Sequence, residues 1–160
     1  MDNTENVYHK ARREAAEHDK RLSSRESASE LLGCSASTLA NYELGVTKSI
    51  PPDSVVMMAD LYNAPELKAR YCAYECPIGK GTPVATSANS IELVTVKMVK
   101  AFSQSAAEEA KSRLLDIAED GIISDDEKPS LEWVLNYLDG MAETISELRL
   151  TCQKALGEVR

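Results

Sequence analysis

The chain has little that would staple, anchor or stiffen it. Aromatic side chains are scarce, with one Phe, one Trp and six Tyr among 160 residues. Runs of β-branched residues are scarce as well, whereas Ala, Leu, Glu and Lys are common, so the balance favours helix over sheet. No stretch approaches the roughly 18 uncharged apolar residues of a membrane span. The start, Met1-Asp2-Asn3-Thr4-Glu5, is polar and acidic and lacks the order of a secretory signal. The four cysteines, at 34, 72, 76 and 152, are too scattered for a disulfide scaffold, which points to a reducing cytoplasm. No Ser/His/Asp or Cys/His/Asn set and no glycine-rich phosphate loop is recognisable. His9 and His18 sit among charges on the first helix, so catalysis is not expected.

Positive charge is also in deficit. The net charge is −8, which argues against indiscriminate binding to nucleic acid. The deficit is uneven. Residues 1–80 carry 10 Lys/Arg and 12 Asp/Glu, a net of −2; residues 81–160 carry 8 and 14, a net of −6. Any contact with a phosphate backbone must therefore rest on local clusters in the first half.

What is present is helical punctuation. Apolar residues make up 43% of the chain, enough for a core. Val7, Ala11, Ala15 and His18 recur at helical spacing and predict a first helix from Thr4 to about Lys20. Ser23 or Ser24 can cap a second helix, whose apolar face is Ala28, Leu31 and Leu32. Gly33 suits the left-handed position that ends it. Ser35 then caps a third helix, with Leu39 and Tyr42 inward and Gly45 as its stop. After a loop through Pro51-Pro52, a fourth helix starts at Asp53-Ser54 and runs to Asn63-Ala64-Pro65. A fifth follows from Pro65 to about Cys76, ended by Pro77 and Gly79.

Two short helices joined at Gly33-Cys34-Ser35 have the shape of a helix-turn-helix. The run Ser24, Glu26, Glu30, Leu32-Gly33, Ser35, Ser37-Thr38-Leu39, Tyr42-Glu43 and Gly45, followed by the 52–64 helix, resembles the Cro/C1-type (XRE) helix-turn-helix family of phage repressors and bacterial regulators. The resemblance covers residues 7 to about 76. It implies an all-α, five-helix, lambda-repressor-like domain over residues 1–78 that reads double-stranded DNA, commonly as a dimer on a pseudo-palindromic operator. Carried over by position, it puts Ala36, Ser37 and Asn41 on the base-reading face and Ser35 and Thr38 at phosphates. Asn can make a bidentate pair with adenine, and Ser can bond either edge. Arg25 at the start of helix two, Lys48 in the loop after helix three, and Arg12 and Arg13 on helix one are further phosphate candidates. The chain departs from the family in having no Arg or Lys on the third helix and a short Ala36 where a long side chain is frequent.

Residues 79–89 have linker composition. Beyond them, Ile91, Val94, Met98, Phe102, Ala106, Ala110, Leu114 and Ile117 mark one side of a long helix. Leu131, Leu135, Leu138, Ala142, Ile145, Leu148, Cys152, Leu156 and Val159 mark another. Steps of three and four over about four heptads predict an antiparallel helical hairpin or coiled coil over residues 90–160, suited to homodimerisation or a protein partner. Ser124 to Glu127 resembles a capping box, with a break in the helix at Pro129 as an alternative. Val94, Met98, Phe102 and Trp133 read as seam residues rather than an effector pocket.

Two metal readings are weighed and set aside, and no cofactor is expected. Cys72 and Cys76 share a helix face but lack two further ligands. Asp116, Asp120, Gly121, Ile123 and Glu127 fall at calcium-loop positions, but Ala118 stands where a carboxylate is wanted. The expectation is a cytoplasmic, sequence-specific transcriptional regulator, with repression implied by the resemblance. The competing class is a degenerate helix-turn-helix scaffold that serves protein contacts through its coiled coil.

Overall fold

Asn6 opens the first described helix by accepting the Tyr8 N–H on its side-chain oxygen at 2.9 Å. The computed structural model describes residues 6–118 and 123–157, and their regular elements are all helical, with eight α-helices, one 3-10 turn and no strand. Two compact units form, one from Met1–Thr82 with Cys152–Arg160, the other from Pro83–Thr151.

In the first unit α1 spans Val7–Ala15 and buries Tyr8, Ala11 and Arg12. It stops five residues short of the expected Lys20. The Glu17 and His18 N–H groups reach back only three residues, and Asp19 caps a separate 3-10 turn, Lys20–Leu22, by accepting from Arg21 N. An Asp side chain that offers the backbone a local partner competes with helix continuation. Helix α2 spans Arg25–Leu31, α3 Ala36–Glu43, α4 Pro52–Leu61 and α5 Glu66–Tyr74. The core gathers Leu22, Ala28, Leu39, Val55, Met58 and Leu67 with Tyr8 and Tyr62. Helix α2 packs on α3, and α4 on α5. Leu31, expected on the inner face of α2, is exposed; Ser29 takes a buried place instead.

The turn after α5 depends on one glycine. A Cβ on Gly79 would stand 2.6 Å from the Cys72 carbonyl oxygen, closer than any real contact. A side chain at that position would force the turn away from α5.

The second unit contains α6 Ile91–Ala101, α7 Gln104–Ala118 and the first six turns of α8, Lys128–Leu156. The single long helix expected from Ile91 to Ile117 is broken. Phe102 caps α6 and Ser103 N–H bonds the Lys100 carbonyl, a three-residue step that interrupts the ladder. The apolar spacing runs straight through Phe102, so periodicity alone does not register the break. At Pro129, by contrast, no break occurs. It lies in the first turn of α8, where its missing N–H is not needed. The linker-like segment 79–89 is also engaged: Ala85 is buried and its N–H donates to Ser146 Oγ at 3.2 Å.

Candidate nucleic-acid interface

The α2–α3 connection is built from three local devices. Ser24 Oγ accepts the Ser27 N–H and Ser35 Oγ the Thr38 N–H, capping the two helices. Between them Gly33 takes φ +63°, a left-handed conformation that costs other residues, and Cys34 N–H closes onto Ser29 O at 3.0 Å. These caps and the glycine set α3 sharply off from α2.

Within α3 the two faces differ. Leu39 and Glu43, one turn apart, are buried. Ser37 and Asn41, also one turn apart, are exposed, with Ala36 half-buried beside them. Ser35 Oγ lies 2.9 Å from Ser37 Oγ and 2.8 Å from Thr38 Oγ1, so three hydroxyls cluster at the N-terminus of α3. Below α3, Lys48 is exposed in the loop before Ile50, and Arg13 is exposed on α1.

Arg12 does not belong to this surface. Its side chain is 4% exposed and that of Glu43 not at all. Arg12 Nε and Nη2 donate to the two Glu43 oxygens at 2.6 and 3.1 Å, and Nη1 donates to the carbonyls of Leu22 and Ser23. The reading of Arg12 as a phosphate ligand is thus corrected: its donors are spent inside the core. Arg25 is shared. Its Nε donates to Glu43 Oε2 at 2.7 Å while a third of its side chain stays exposed.

In the sequence Glu43 reads only as part of the helix-turn-helix run; its buried pairing with Arg12 and Arg25 is what sequence reasoning missed. Burial opposes its ionisation, but hydrogen bonds from Arg12 and then Arg25 outweigh that and hold its carboxyl below the usual range. The same pairing holds the Arg12 guanidinium above its usual value. The Tyr62 hydroxyl, buried near this charge, is pushed upward first by burial and then by Glu43. A signal was available: Glu43 follows Leu39 by four residues, on the inward face, where a carboxylate needs a cation. At the other end of the core, Tyr8 Oη donates to Glu75 Oε1 at 2.9 Å and ties α1 to the residue that ends α5.

The remaining candidates can be placed briefly. Among the described residues no three His, Cys, Asp or Glu gather as a metal site. The thiols of Cys34, Cys72, Cys76 and Cys152 are free. Of the calcium-loop positions, Asp120 and Gly121 lie outside the described residues, and Glu127 Oε2 is occupied by the Ser124 N–H at 2.8 Å and by its hydroxyl. No described helix is long and apolar enough to cross a membrane.

No protein-family model matches the chain, and neither a curated protein nor a solved structure matches it.

Proposed function

We propose that the chain is a sequence-specific DNA-binding transcriptional regulator, a repressor by the resemblance of its first half to Cro/C1-type proteins. In this reading residues 1–78 form a lambda-repressor-like five-helix domain, α2 and α3 are its helix-turn-helix, and α3 enters the major groove. One observation carries the reading: α3 is anchored from its inner face by Leu39 and Glu43 while Ser37 and Asn41 stand exposed together on the outer face. Asn41 supplies the adenine-type bidentate pair and Ser37 an adaptable bond, with Ala36 against a base edge. Ser35, Thr38, Arg13, Arg25 and Lys48 are the phosphate contacts, and Arg12 leaves the set. With so few cations the binding is modest per subunit and steeply salt-dependent. A homodimer paired through residues 90–160 would present two such faces to a pseudo-palindrome.

A second reading is favoured by the lack of any Lys or Arg on α3 and by exposed Leu44 and Val46 at its end. There the helix-turn-helix is a scaffold for protein contacts, without a base-reading role.

Selection from random duplexes at low salt separates the two. A regulator returns an enriched motif, Asn41→Ala removes preference at one base pair, and Lys48→Ala weakens all sequences alike and lowers the salt slope by about one. A selection with no enriched motif overturns the regulator reading.

A further inference from the structure

Among the four cysteines only Cys72 and Cys76 stand one turn apart in the chain. Both thiols are free; Cys72 is exposed and Cys76 half-buried. On a regular helix that spacing sets the Cβ atoms roughly 5–6 Å apart, whereas a disulfide needs about 3.5–4.5 Å. A continuous helix would hold the two sulfurs out of bonding range.

Helix α5 is not continuous there. It ends at Tyr74, between the two cysteines, and Glu75 caps it. Pro77 has no N–H to carry the helix on, and it pushes Cys76 away from helical backbone. Cys76 N–H still bonds the Tyr71 carbonyl at 2.9 Å, sharing that acceptor with Glu75 N–H at 2.9 Å. Further on, Lys80 N–H returns to the Cys76 carbonyl at 3.1 Å, and Gly79 packs on the Cys72 carbonyl. The loop thus keeps Cys76 over the turn that carries Cys72. An approach of ~1–2 Å would give up only the two bonds to Tyr71 O. Glu75 lies between the thiols and accepts from Tyr8 Oη at 2.9 Å, and Tyr8 is buried in the core of the first unit. Drawing Cys76 inward shifts Glu75 and loosens that bond.

We propose that Cys72 and Cys76 form a reversible redox site, closed to a disulfide by exchange with a small-molecule disulfide, and that closure loosens the tie between α5 and α1. Cys72, the more exposed, attacks one sulfur of the oxidant as its thiolate and expels the other as a thiolate. The Cys76 thiolate then attacks the Cys72 sulfur of this mixed disulfide and expels the second small thiolate. The chain loses two electrons and two protons, and the oxidant becomes two thiols. Pulling the sulfurs together strains the bond, which makes it easy to reduce, as labile disulfides are and structural ones are not. Such a bond suits a reducing compartment, where disulfides are transient. The inference goes beyond the DNA reading and does not rest on it.

The test equilibrates the full chain with oxidised and reduced glutathione at varied ratios, followed by acid quench, alkylation and trypsin. Both thiols fall on one tryptic peptide, residues 71–80, between the cleavages after Arg70 and Lys80. With oxidised glutathione in excess that peptide should resist alkylation and weigh two hydrogens less; reduced glutathione should reverse this. Cys76→Ser should stop at a glutathione adduct on Cys72. In the oxidised chain, amide exchange at Glu75 and Cys76 should quicken about tenfold as their bonds to Tyr71 O are lost. Tyr8→Phe removes the opposing tie and should raise the disulfide-to-dithiol ratio about fivefold at a fixed glutathione ratio, the worth of one hydrogen bond. A peptide that carries only glutathione adducts at every ratio, or stays fully reduced, overturns the site. A disulfide that resists excess reduced glutathione overturns its reversibility, and one whose equilibrium ignores Tyr8→Phe overturns the link to α1.

Discussion

The two units solve the same problem, helices with a shared apolar interior, to different degrees. Among the described residues the first buries thirteen apolar residues and leaves eight large ones exposed; the second buries six and leaves eleven exposed. Their buried acids differ in the same direction. Glu43 has no exposed side-chain surface and its partner Arg12 almost none, whereas Lys97, the partner of Glu147, is 44% exposed. A closed interior can hold an ion pair that must never open. A half-open one keeps its pair in touch with water, and still has surface to give to something else.

The largest expected effect is at the closed pair. Glu43→Ala strands the Arg12 guanidinium in the core and should cost the first unit about 3–5 kcal/mol, read by chemical denaturation. Glu147→Ala, whose cation can return to water, should cost only about 1 kcal/mol. Equal losses would break the comparison. The pH dependence sharpens it. The Glu43 carboxyl is held down in the folded state, so its stabilisation is complete above its unfolded value near 4.3 and lost as pH falls through the lower folded value. In Glu43→Gln the first unit should start less stable at neutral pH and lose less below pH ~4, followed by circular dichroism.

The next effect is steric. Gly79→Ala brings its new carbon against the Cys72 carbonyl and should cost about 1–3 kcal/mol, seen as a lower Tm for the first unit.

The smallest concerns caps. Ser35→Ala and Ser90→Ala each remove the hydroxyl that accepts the first-turn N–H of α3 and α6. Each should cost about 1 kcal/mol. Ser90 makes the longer bond, 3.4 Å against 3.0 Å, so its loss should be the milder one.

Much of the first unit was legible because its signals are local. Ser24, Ser35 and Gly33 act on their own backbone or on residues three or four away, and spacing reads such effects. Arg12 and Glu43 were not legible as a pair, since 31 residues separate them and an Arg amid charges on α1 reads as solvated. The inward turn of a charged side chain is decided by tertiary packing. The end of α6 at Phe102 was hidden because the break keeps the apolar register on both sides. In α8 the heptad was plain, but which way it faces was not, because Val134 and Tyr137 form a competing stripe about a third of a turn away. Of the candidate site, the exposed pair Ser37 and Asn41 came from position in α3, and the exclusion of Arg12 came only from burial.

The anchoring of α3 from behind has one more consequence. Glu43 grips α1 and the start of α2 from the far end of the helix, and Leu39 fills the core beneath it. What holds the helix is thus separate from what it displays. Positions 37 and 41 behave as interchangeable characters on a fixed typeface, so a library randomised there would keep its fold.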